Sequence, residues 1–466
     1  MSADTRTKPA ARPYLTATAK FASGDDNPRE FLERCLKALD TWEPQIGAFV
    51  TLNLPAARAA ADASTARWRA GKPLSAIDGM PIGIKDVIET ADMPTEMGSP
   101  LFKDWRSMKD AASVVALRSA GAVILGKTVT TEFAMTFPRG TRNPWNPAHT
   151  PGGSSSGSAA ATAAGIISAG LGTQVIGSVL RPASFCGVVG YKPTVHALNR
   201  TGSHDPQSQS CTGILAASLE DAWLVAINIC ERAGGDPGYP GLQGPPEPPT
   251  PQRPHAVAVL ETAGWEVATA DARRAFDAAV ARLANAGIAI ANRHADRAID
   301  EVEEAISDAV GLTRKINAWE GRWPLNTYRN RDPNKLSQSA LDRLATAEAM
   351  SLADYRAAIA RRQRSREIHA RLAARYDAAI TLAAPGAAPV GLGSTGNPIF
   401  NVSGSLLGIP ALSLPLLSVD NLPLGLQVMG FAGGDARLFA IGAALRDLLE
   451  RHHNMGATQR AEVEKS

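Results

Sequence analysis

Short apolar runs separated by helical stretches constrain this chain more than any other feature. Pro81–Val87 and Ala122–Leu125 read as buried strands, and Ser113–Ala120 as the helix between them. The same order returns later, with a strand predicted over His255–Leu260, a helix over Asp271–Ala286, a helix over Leu352–Ala374, and strands over Asp377–Leu382 and Leu422–Met429. Such alternation predicts an α/β protein whose helices cover a large mixed sheet. Upstream, Phe31, Leu32, Cys35, Leu36 and Leu39 recur at helical spacing behind Pro28, a residue suited to the first helical position. A second, Ala-rich helix is expected from Pro55 to Ala70. Gly234–Pro254 holds eight prolines and five glycines and is read as a partly extended surface loop.

Composition removes several function classes. The 466 residues carry 48 basic and 45 acidic side chains, a net charge of +3, so no electrostatic footprint for nucleic acid or an anionic membrane exists. The longest uncharged run of small and apolar residues, Ser158–Gly172, falls short of the roughly 18 residues of a spanning helix and reads as a closely packed buried helix. Cys35, Cys186, Cys211 and Cys230 lack CxxC or zinc-ligand spacing and are expected to be reduced thiols of a cytoplasmic protein, Cys186 as a packing residue. Residues 1–25 are polar, with no apolar core for a signal peptide, and are expected to form a flexible arm; residues 457–466 are expected to form a polar tail. No metal and no cofactor is called for.

The chemistry concentrates in three segments: Gly79-Met80-Pro81-Ile82-Gly83-Ile84-Lys85-Asp86, Pro151-Gly152-Gly153-Ser154-Ser155-Ser156-Gly157-Ser158, and Gly172-Thr173-Gln174-Val175-Ile176-Gly177-Ser178-Val179-Leu180-Arg181-Pro182. A lysine among Ile82, Ile84 and Val87 is a candidate buried amine, and burial lowers a lysine pKa. Two glycine-flanked serine clusters can bend the backbone so that hydroxyls and N–H groups converge. Amide cleavage needs a nucleophilic oxygen, a base and donors for an oxyanion. Taken alone, each piece has a plain reading: Lys85 paired with Asp86, a flexible Gly/Ser loop, solvent-facing Ser155 and Ser156.

In order and spacing the segments resemble the amidase signature family, serine hydrolases with a Ser–cis-Ser–Lys triad. Ser154 and Ser178 lie 24 residues apart, the family's spacing. The likeness continues through Ala120–Thr128, Asn143-Pro144-Trp145-Asn146, Phe185–Thr194, Gly408–Leu412 and Leu422–Gly430. It implies one large domain over residues 26–456, with its signature core at 79–194. It also implies Ser178 as nucleophile, Ser154 as bridging serine after a cis peptide, Lys85 as base, and an oxyanion hole from Val175, Ile176, Gly177 and Ser178. Gln174, Val175 and Ile176 depart from the family's commonest residues there, and β-branched Ile176 resists positive φ. Arg181 stands one position later than the usual arginine. It is read either as a fork onto a substrate carboxylate or carbonyl, or as a clamp on backbone carbonyls. Gln174, Ser155 and Ser156 are read as loop support or substrate contacts.

The resemblance implies a cofactor-free amidase acting on a small-molecule amide, its reach extending to carbamates (a urethanase), anilides or esters. Two alternatives stand beside it. One is the glutamine-hydrolysing subunit of a tRNA-dependent amidotransferase. The other is an α/β-hydrolase-type esterase: Gly153-Ser154-Ser155-Ser156-Gly157 fits G-x-S-x-G, which would make Ser155 the nucleophile, though that elbow must follow a strand. Arg314–Ala349, carrying Trp319, Trp323 and Tyr328, is expected to cover the cleft, and Arg314–Tyr328 with the region around Gly391–Phe400 to set specificity. The sequence leaves a homodimer open.

Overall fold

In the computed structural model the described residues are 8–463, with side chains to 450. Eleven strands form one sheet: β1 (Phe49–Leu52), β2 (Pro81–Lys85), β3 (Val123–Thr128), β4 (Ala169–Gln174), β5 (Val189–Lys192), β6 (Cys211–Ala216), β7 (Ala256–Val259), β8 (Ala289–Ala291), β9 (Ala378–Leu382), β10 (Ala411–Val419) and β11 (Leu422–Met429). Their order is β1-β3-β2-β4-β6-β5-β10-β11-β9-β7-β8. β2 runs parallel to β3 and β4, and β7 parallel to β8 and β9; the other pairs are antiparallel. This is the mixed α/β architecture that the alternating pattern predicts. Every residue of β2, β3, β4 and β6 is buried, the continuous burial of strands covered on both faces.

Local chemistry sets the boundaries. Asn27 caps the helix Pro28–Ile46 by accepting from the Glu30 N–H, Pro28 opens it, and Gly47 closes it at φ 55°. Between this helix and Leu54–Arg69 the structure inserts β1, an edge strand that the helical reading of residues 27–70 missed. The helix expected over Ser158–Gly172 is shorter. It spans Ser156–Ala163, turns at Gly165, and gives way to β4, which pairs with β2 and β6 on its two sides. No helix among the described residues is long and apolar enough to cross a membrane.

The expected flexible arm is corrected from residue 8 on; residues 1–7 lie outside the described residues. Leu15–Ser23 is helical, and Tyr14 is fully buried. The Tyr14 and Leu15 N–H groups donate to the Asp221 carboxylate at 2.8 and 3.0 Å, and the Tyr14 hydroxyl donates to the Asp78 carbonyl at 2.5 Å. At the other end the helix from Asp435 runs to Val463, through part of the expected tail; residues 464–466 lie outside the described residues. Residues 234–254 carry no helix or strand, as their prolines dictate.

Candidate active site

Lys85 ends β2, and β2 lies between β3 and β4, so the sheet carries its amine into the interior with no exposure. The Nζ atom meets the Ser154 hydroxyl at 2.7 Å, the Thr173 hydroxyl at 2.9 Å and the Thr173 carbonyl at 3.4 Å. Burial brings its pKa down to about 7, with the Asp205 carboxylate opposing. Asp86, the neighbour that could have neutralised it, turns instead to Lys127, at 3.2 Å, and to the Glu96 N–H.

The Gly153–Ser154 peptide is cis. Gly152 before it has φ 83°, and a Cβ there would stand 2.8 Å from the Pro182 Cα, so only glycine fits. Arg181 grips this loop: its guanidinium donates to the Gly153 carbonyl at 2.6 Å, the Gly396 carbonyl at 3.0 Å and the Thr395 hydroxyl at 2.9 Å. It is buried and has no carboxylate within ion-pair distance among the described residues. These contacts follow the clamp reading of Arg181 rather than the fork reading. Ser155 and Ser156 are buried, not solvent-facing. Their hydroxyls donate to the Thr173 carbonyl at 3.4 Å and the Val129 carbonyl at 3.3 Å. The elbow reading of Ser155 is therefore corrected: from Arg142 to Ser154 the chain carries an isolated bridge at His149 and no strand.

Ser178 lies beyond the end of β4, half-buried, in the turn that leads into the helix Leu180–Cys186. Its carbonyl accepts from the Ser155 N–H at 3.3 Å, which brings the serine loop and this turn into direct contact. Its hydroxyl makes no hydrogen bond to another described residue, so the Ser154–Ser178 link itself is not formed. Among the described residues the N–H groups of Val175, Ile176, Gly177 and Ser178 also find no acceptor, whereas those of Val179 and Leu180 both donate to the Gln174 side-chain oxygen, at 2.9 and 3.0 Å. Ile176 does not adopt positive φ, so the turn is ordinary at that residue. Gly177 is required by crowding: a Cβ would stand 2.7 Å from Asn401 Oδ1.

Sequence reasoning missed four residues here. Thr173 stands inside a segment already singled out, and its hydroxyl beside a buried lysine was a readable signal. Gln209 and Ser405 carried none, because their contacts cross 34 and 229 residues of chain, and Thr395, within the Gly391–Phe400 segment read for specificity, instead holds Arg181 across 214 residues. Of the covering segments, Tyr328, on the helix Ala309–Arg331, stacks on Phe133 at 4.7 Å, and Trp319 stacks on Tyr355 at 5.5 Å.

A buried amine, two serine-bearing turns in contact and a row of unengaged N–H groups are parts suited to acyl transfer. The Amidase family model matches residues 30–439, and the chain belongs to that family. Over 198 residues it is 44% identical to a glutamyl-tRNA(Gln) amidotransferase subunit of Chloroflexus aggregans (strain MD-66 / DSM 9485), covering 41% of each chain. Over 228 residues it is 40% identical to the corresponding subunit of Anaeromyxobacter sp. (strain K), covering 47% of this chain and 46% of that one. The match thus spans less than half the length of these curated relatives. Solved structures align over nearly the whole chain. A crystal structure of an amidase has a TM-score of 0.79 at 27% identity, covering 94% of this chain and 99% of that one. The peptide amidase from Stenotrophomonas maltophilia has 0.75 at 26%, covering 94% and 97%.

Proposed function

We propose that the protein is an amidase for small-molecule amides that works through an acyl-enzyme on Ser178. The observation that carries this reading is the fully buried Lys85 amine, 2.7 Å from the Ser154 hydroxyl, with a pKa brought to about 7. At neutral pH a large share of that amine is unprotonated, and its lone pair accepts a proton. The Ser178 oxygen attacks the substrate carbonyl carbon while its proton passes through Ser154 to Lys85. The negative oxygen that forms is met by N–H groups of Val175–Ser178, each such donor being worth about 3–4 kcal/mol in comparable sites. The C–N bond then breaks, and the amine leaves with the proton returned through Ser154. Water repeats the sequence on the ester, releasing the acid and restoring Ser178. Alignment with amidases over 94% of the chain supports this reading. Carbamates, anilides and esters are within the same chemistry.

The likeness to glutamyl-tRNA(Gln) amidotransferase subunits favours a second reading, in which glutamine is the amide hydrolysed. One screen separates them: purified protein against aryl amides, aliphatic amides, carbamates, esters and glutamine, alongside labelling by a fluorophosphonate. Turnover of non-glutamine amides, label on Ser178, and loss of both in Ser178→Ala are expected. Label on Ser155, or turnover surviving in Ser178→Ala, overturns the mechanism; activity confined to glutamine selects the second reading.

A further inference from the structure

The turn that would meet the oxyanion is held by three carbonyls, and two of their partners are side chains from distant segments. The Val175 carbonyl accepts from Gln209 Nε2 at 2.8 Å, the Ile176 carbonyl from the Ser405 hydroxyl at 2.7 Å, and the Gly177 carbonyl from the Arg181 N–H at 3.1 Å. In a trans peptide the C=O and the following N–H point in opposite directions. Fixing the carbonyls of residues 175, 176 and 177 therefore fixes the N–H directions of Ile176, Gly177 and Ser178. Those N–H groups are the ones that engage no described residue.

The proton positions in this network are dictated by chemistry. A carbonyl only accepts, so Ser405 must spend its hydrogen on Ile176, and its oxygen is left to receive Gln174 Nε2 at 3.1 Å. Gln174 cannot be turned the other way round, because its oxygen already accepts the Val179 and Leu180 N–H groups. Gln209 must likewise present its nitrogen to Val175. All three side chains are fully buried, so water does not compete for them. Ser405 sits on the helix Ile399–Leu407, and Gln209 precedes β6, so two separate elements brace one turn.

We propose that Gln209 and Ser405 are positioning residues for the oxyanion-binding N–H groups, acting through the Val175 and Ile176 carbonyls. Gln174 ties Ser405 to the start of the following helix. This brace also accounts for how a turn with the bulky pair Val175-Ile176 is held in place without positive φ at either residue. The inference rests on the acyl-enzyme reading above.

The test uses the rate at which a fluorophosphonate labels Ser178, because the P=O oxygen of that probe occupies the oxyanion position whatever the natural substrate. Deleting an oxyanion donor outright costs about 10²–10³ in rate. Loosening one by Ser405→Ala, or by Gln209→Met, whose side chain of similar length has no donor for Val175, should slow labelling roughly tenfold to a hundredfold. Ser405→Thr, which keeps the hydroxyl, should restore it. The pH at which labelling reaches half its maximum should stay where it is in wild type, since Lys85 is untouched. Unchanged labelling rates in both variants overturn the inference, as does a loss that Ser405→Thr fails to rescue or that comes with a displaced pH midpoint. Should Ser405→Ala fail to fold, Gln209→Met carries the same decision. If wild type is not labelled at Ser178 at all, the acyl-enzyme reading falls first.

Discussion

Two lysines lie buried on adjacent parallel strands, in register Ile84 with Lys127 and Lys85 with Thr128, and their surroundings assign them opposite work. Lys127 meets the Asp86 carboxylate at 3.2 Å, the Thr95 hydroxyl at 2.6 Å and the Pro94 carbonyl at 3.1 Å. Lys85 meets hydroxyls and one carbonyl only. Burial lowers both pKa values, but at Lys127 the attached carboxylate pulls back toward the charged form. Burial also raises Asp86, to about 6, against the pull of Lys127. The pair is thus a structural element, while Lys85 is left with its proton loosely held. Asp86 lies next to Lys85 in sequence, and the fold keeps it occupied elsewhere. For a buried lysine to serve as a base, the lack of a contacting counter-charge matters as much as burial.

The comparison can be broken by exchanging the losses. Lys85→Ala should cost about 10²–10⁴ in kcat on an amide, the range for removal of a general acid–base, with folding retained. Lys85→Arg should not rescue, since guanidinium keeps its proton. An amide-to-ester ratio of rates that survives Lys85→Ala unchanged would take the leaving-group proton away from this residue.

Lys127→Ala should act on stability instead. It leaves the Asp86 carboxylate buried without its partner, a loss of about 3–5 kcal/mol in denaturant unfolding. Replacing both members, Asp86→Leu with Lys127→Met, should recover most of it. If the single and double variants are equally unstable, the ion pair is not what Lys127 contributes.

The smallest effect sharpens the comparison through pH. Lys85 has a folded pKa near 7 against an ordinary value of 10.5, so between these the unfolded chain binds more protons and stability rises with pH. From pH 7 to 9 this single group should add about 2 kcal/mol, measured as wild type minus Lys85→Met. By contrast kcat/KM should rise through pH 7 as the amine loses its proton and level off within this window, by about pH 8. A rate that climbs toward acid contradicts a lysine base.

Much of this was legible in the sequence. Strands β2, β3 and β11 announced themselves as apolar runs, and the helix Pro28–Ile46 by its spacing and opening proline. β4 did not, because Ala-Gly-Leu-Gly-Thr-Gln has no β-branched residue but Thr173, and its conformation is imposed by pairing with β2 and β6. β1 was hidden as an edge strand of four residues between two helical patterns. In the site, the serine and lysine segments were readable together, by their order and spacing, although each alone had a plain reading. The Thr395 and Gly396 partners of Arg181 were not, for they lie more than 210 residues away and join it only by folding.

The docking of Tyr14 has a consequence for how the chain is made. Its N–H waits for a carboxylate 207 residues later. At about 5–20 residues per second, synthesis delivers Asp221 some 10–40 seconds after Tyr14 has left the ribosome's peptidyl-transferase centre. The acceptor of its hydroxyl, the Asp78 carbonyl, comes only 64 residues after it, so within that interval the side chain can pack against Phe21 and Phe31 and bond Asp78 while its N–H still lacks its carboxylate. The helix Leu15–Ser23 can form early and meet Trp68 through Phe21, but the Asp221 bonds that hold its start are a late arrival, made only when the helix after β6 has been translated.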